Sequence, residues 1–125
     1  MVKLRRCPCQ GETLDRLIQP AVLAFLAREP MSGYRLLRLL DGMPMFREHK
    51  PDPAGVYRCL KMMERRGLVT GSWSLSHSGP ASRRFRLTRA GQSCLSRWVE
   101  TLVTYRQDLD FILALTRKAS RKNSR

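Results

Sequence analysis

A change of hydrophobic period at Gly67 constrains this chain more than any other feature. Up to that residue, apolar side chains recur every three or four positions, as on one face of a helix. Beyond it, Leu68, Val69, Thr70 and Ser72 to Leu75 suit a strand, and Arg84, Phe85, Arg86 and Leu87 alternate one by one. From Arg89 the helical period returns. A chain of 125 residues that turns from helix to hairpin and back has room for one domain. The expected class is mainly α with a small β-hairpin.

Local signals place the elements. The first helix is expected from about Asp15 to Arg28, with Leu17, Ile18, Ala21, Val22, Phe25 and Leu26 on one face. Pro20 inside that pattern predicts either a kink or a helix start just before it. Ser32 is a natural N-cap for a second helix over 33–40, and Gly42 suits a left-handed end to it. A loop is expected over 43–50. Asp52-Pro53 predicts the start of a third helix, since Asp caps and Pro fits the first turn. The tract 76–82 is turn-rich, so the hairpin carries a basic tip facing water, with Phe85 and Leu87 facing the core.

A fourth helix is expected from about Arg89 to Arg117, capped by Thr88. Its apolar stripe comprises Leu95, Trp98, Val99, Leu102, Tyr105, Leu109, Ile112 and Leu113, in steps of three and four. One small domain cannot cover so long a stripe, so a second copy of the chain is expected to dimerise along it. The expected organisation is an N-terminal arm over 1–12, a folded domain over 13–88, a dimerisation helix over 89–115 and a basic disordered tail over 116–125.

Charge narrows the partner. Lys and Arg total 24 against 10 acidic residues, a net +14. Such an excess points to a polyanion. Eight of these cations lie in the arm and tail, where they add sequence-blind attraction. The longest apolar run, Ala21 to Ala27, is too short to span a bilayer, and no apolar core follows the basic Met1 to Arg6, so a membrane or secreted protein is not expected. The expected location is the cytoplasm. Three short helices followed by a hairpin is the order of a winged helix-turn-helix domain, whose third helix enters a major groove of duplex DNA while the wing reaches the neighbouring backbone.

Four stretches resemble the PadR-like transcriptional regulators. Ser32-Gly33-Tyr34-Arg35-Leu36 is similar to that family's Gly-Tyr-x-Leu. Asp52 to Leu60 is similar to its recognition helix, and Leu60 to Val69 to its Leu-Glu-x-x-Gly-Leu segment. Gly79 to Gly91 looks like its wing and the start of its last helix. The resemblance implies a homodimeric repressor, loosened from DNA by an effector or cellular signal. By position, it implies DNA contacts at Ser32, Tyr34, Pro53, Ala54, Gly55, Tyr57, Arg58 and Lys61, and at wing residues Ser82, Arg83 and Arg84. Ala54 stands where the family has Gly, Gly55 where it has Thr or Ser, and Arg84 where it has an aromatic.

Each of these residues also has a plainer reading. Tyr34 and Tyr57 can pack their helices against the core, and Arg58 and Lys61 can be solvated charges. Cys7 and Cys9, flanking Pro8, could supply two ligands to zinc, a thiolate to haem, or an oxidant-sensitive pair. No neighbouring His or Cys completes a site, so no cofactor is expected. Cys59 and Cys94 read as buried free thiols. No Gly-rich phosphate loop, His-Glu-x-x-His or Gly-x-Ser-x-Gly occurs, so an enzyme is not expected. The alternative function is a winged-helix protein-interaction module with only non-specific nucleic-acid binding.

Overall fold

The computed structural model describes residues 17–47, 50–74 and 82–123. The arm with Cys7 and Cys9, the wing tip over 75–81, and residues His49 and His77 lie outside them.

Helix α1 spans Ile18–Arg28. Pro20 is its third residue, where the missing N–H has no intrahelical partner to lose. The helix therefore starts just before Pro20. Strand β1 is only Met31–Ser32, and α2 follows over Gly33–Asp41. Ser32 caps α2 as expected, its hydroxyl accepting from the Arg35 N–H at 3.1 Å. Gly42 departs from expectation: its φ of −84° is right-handed. Within the 43–50 loop, Pro44–Phe46 forms a 3-10 turn that buries Phe46. Helix α3 spans Pro53–Arg65, with the Asp52 carboxylate accepting from the Ala54 N–H at 3.3 Å. It ends at Gly67, whose φ of +75° is the left-handed turn that glycine makes without penalty.

Strands β2, Val69–Ser74, and β3, Ser82–Leu87, form the expected hairpin. A third strand was not foreseen. Met31 pairs with Phe85 and Ser32 with Arg84, giving an antiparallel sheet in the order β1-β3-β2. The central strand thus ties the start of α2 to the wing. One core gathers Val22, Leu23 and Leu26 of α1, Leu36 and Leu40 of α2, Val56, Leu60 and Met63 of α3, and Val69 and Phe85 of the sheet.

Helix α4 runs Arg89–Asn123, 35 residues, or about 52 Å at 1.5 Å per residue. Residues 116–123, expected to be disordered tail, are helical. Its root is fixed by Thr88. The Thr88 hydroxyl donates to the Gly67 carbonyl at 2.6 Å and accepts from the Gly91 N–H at 3.0 Å. Gly91 is buried there, and a Cβ at that position would overlap the Leu68 carbonyl oxygen. The stripe is shared between two jobs. Leu95 and Trp98 pack on this chain's own core, and the Trp98 indole N–H donates to Gln19 Oε1 of α1 at 2.8 Å. Val99, Leu102, Tyr105, Leu109, Ile112 and Leu113 stay exposed. Among the described residues no helix is long and apolar enough to cross a membrane.

Candidate nucleic-acid interface

Helix α3 buries Val56, Leu60 and Met63 and turns the opposite face outward. At 100° per residue, Ala54, Tyr57, Arg58, Lys61 and Arg65 share that face, and all five are exposed. Arg65 was not singled out from the sequence; it joins this face four residues after Lys61. Pro53 is exposed in the first turn, and Gly55 sits half-buried beside Asp52. Arg58 makes a loose, exposed ion pair with Asp52 at 3.7 Å. That contact is weak enough to be exchanged for another anion.

Tyr34 and Tyr57 stand side by side at the junction of α2 and α3. Tyr34 is 63% exposed, and its hydroxyl accepts from Arg38 at 3.4 Å. Tyr57 is 46% exposed and lies against Gly33. Neither ring belongs to the buried core. Together with Lys61, Leu60, Trp73 and Phe85 they line an open groove of about 550 Å³ between α3 and the wing. Trp73, 67% exposed on β2, was not singled out from the sequence. Its signal is the alternation of β2, which places it two residues beyond Gly71 on one face of the sheet.

The wing residues divide by the parity of β3. Arg84 and Arg86 face water, as the alternation requires. Arg83 has the parity of Phe85 and Leu87, and it points to the α3 side. Its guanidinium donates to both carboxylate oxygens of Glu64, at 2.9 Å and 2.5 Å, and to the Gly71 carbonyl at 3.0 Å. The hydrogen bond from Arg83 holds the Glu64 carboxyl below its ordinary range, and Glu64 in turn raises Arg83. The guanidinium so engaged lines the same groove, about one third exposed. Ser82 opens β3 opposite Ser74. On the inner side of α3, burial pushes the Cys59 thiol up, which keeps it protonated and unreactive.

The basic, aromatic face of a capped third helix beside a three-stranded wing defines a winged helix-turn-helix protein. Residues 22–97 match the Transcriptional regulator PadR-like family, and the chain belongs to that family. It is similar to Rv1176c of Mycobacterium tuberculosis, named as a probable transcriptional regulator, at 29% identity over 82 residues. That match covers 63% of this chain and 41% of the relative, so the chain spans well under half of the relative's length. Among solved structures it resembles TA0346 from Thermoplasma acidophilum, with a TM-score of 0.68 and 29% identity over 82% of this chain and 96% of that one. It shares the fold of Bacillus subtilis PadR, solved in complex with operator DNA. There the TM-score is 0.59 and the identity 19%, over 66% of this chain and 47% of that one.

Proposed function

We propose that this chain is a homodimeric repressor that binds a near-palindromic promoter site in double-stranded DNA and occludes it. The observation that carries the reading is the outward face of α3. Tyr57, Arg58, Lys61 and Arg65 project together, with Tyr34 beside them and Arg84 on the wing. A helix presenting polar side chains in this way fits a major groove and reads base edges, while the surrounding cations neutralise phosphates. Ser32, Pro53, Ala54 and Gly55 line the backbone approach, and Ser82 carries the wing toward its tip.

Dimerisation is supported by the exposed row from Val99 to Leu113 on α4. Apolar residues in three–four steps on an isolated helix lack a cover that a second copy would supply. Two copies would set two α3 helices about one turn of DNA apart. Release by a small-molecule effector or cellular signal, and a cytoplasmic location, follow from the family reading. The organisation proposed is a DNA-binding domain over 13–88 and a dimerisation helix from residue 89 onward.

The test is binding of the purified protein to its own upstream DNA against random duplex at physiological salt. A preference of 100-fold or more supports the reading. Equal, salt-labile binding to both overturns it and favours a protein-interaction module with a general nucleic-acid surface.

A further inference from the structure

Glu64 and Arg83 also line the groove between α3 and the wing, and they pair with each other across it. We propose that Glu64 is a positioning residue that fixes the angle of the wing beside α3, and that Arg83 serves this clamp instead of the DNA. The proposal rests on reading α3 and the wing as one DNA-binding surface.

One carboxylate gathers three elements. Glu64 projects from the last turn of α3 and accepts two hydrogen bonds from Arg83 of β3 and one from the Gly71 N–H of β2, at 3.2 Å. Arg83 closes the loop by donating to the Gly71 carbonyl. Its guanidinium carbon lies 5.2 Å from the Phe85 ring centre and 5.9 Å from that of Trp73. Gly71 makes the arrangement possible, because a Cβ there would overlap the Arg83 guanidinium. The clamp also sits where leverage matters. Val69 and Phe85 anchor the root of the hairpin in the core, whereas Arg83 opposite Trp73 is one rung from the Ser74–Ser82 pair. Bidentate pairing of a planar guanidinium with a carboxylate fixes direction as well as distance.

The experiment compares the full chain with Glu64→Gln, Arg83→Met and the double variant in two measurements. The first is DNA affinity across a salt series on the preferred upstream site. Glu64→Gln removes a negative charge, so a simple charge effect would tighten binding. The clamp requires binding about tenfold weaker, the same loss for Arg83→Met, no further loss in the double variant, and an unchanged salt slope. A slope lower by about one for Arg83→Met alone would mark a phosphate contact and overturn the proposal. The second measurement is amide hydrogen exchange in the free protein. Exchange in β2 and β3 is expected to rise at least tenfold in both single variants, with α1 and α2 unchanged. Unaltered wing exchange overturns the clamp whether or not the chain selects DNA. Loss of site selection by the unsubstituted protein overturns the DNA-binding reading alone.

Discussion

Tyr57 of α3 lies across Gly33 at the start of α2, so close that a Cβ on Gly33 would stand 2.7 Å from Tyr57 Cε1. The absence of a side chain at one helix therefore sets the attitude of an aromatic ring on the next. Gly33→Ala is expected to push the ring outward, at a stability cost of about 1 kcal/mol. DNA affinity should fall with it. Denaturant titration with a binding isotherm checks this, and Tyr57→Ala in the Gly33→Ala background should restore the stability but not the affinity.

Gly91 is the harsher case, because its neighbour is backbone. The Leu68 carbonyl oxygen occupies the space of a Cβ and is itself bonded to the Thr88 N–H at 3.1 Å. Neither can step aside. Gly91→Ala is expected to destabilise the domain by about 3 kcal/mol, read as a fall in the denaturant midpoint with an unchanged slope.

Along α4, Ile112→Lys and Leu109→Lys place a charge in the exposed apolar row. The proposed dimer is expected to become a monomer at micromolar concentration in sedimentation experiments. Lys118→Gln, further along the helix, should leave the mass unchanged. A dimer that survives both lysines would show that the row is covered by something else.

Lys61→Gln removes a cation from the outward face of α3 without touching the core. Its affinity for any duplex should drop, and the slope of log K against log salt should become shallower by about one.

The clamp also predicts an acid response. The Glu64 carboxyl is held below its ordinary 4.5, mainly by the hydrogen bond from Arg83. A carboxylate with a lowered folded-state pKa contributes stability that is present above the unfolded value and fades as pH falls toward the folded one. Wing amide protection should therefore be flat from neutral pH to about 5 and decline below 4.5. Glu64→Gln should abolish that dependence. Arg83 stays charged throughout this range.

Much of this fold is written in local signals. Ser32, Asp52-Pro53 and Gly67 mark their boundaries because caps and left-handed turns depend on a few adjacent residues. The two residues of β1 escape such reading, since a pairing with Phe85 and Arg84 more than fifty positions away leaves no period in so short a stretch. The inward turn of Arg83 was legible too. Alternation that turns Phe85 inward turns Arg83 the same way, and a charge there demands a partner, which Glu64 supplies. The length of α4 was hidden by composition: Arg117, Lys118, Arg121 and Lys122 look like a solvated tail, yet Lys and Arg are good helix formers. Nor could spacing divide the stripe. Leu95 and Trp98 share the period of Leu109 and Ile112, although one end covers its own core and the other faces out.

Thr88 makes α4 a rigid pointer. Its hydroxyl ties the first turn of α4 to Gly67, two residues beyond the end of α3, so a rotation of the rod is passed on to α3. A rod of about 52 Å magnifies small rotations: about 5° at the root becomes about 4.5 Å at the far end. Read in reverse, whatever grips the distal half steers α3 with the mechanical advantage of a long handle. In the proposed dimer, a shift of a few ångströms between two such handles would retune the pitch at which the two α3 helices meet the double helix, without disturbing either α3 itself.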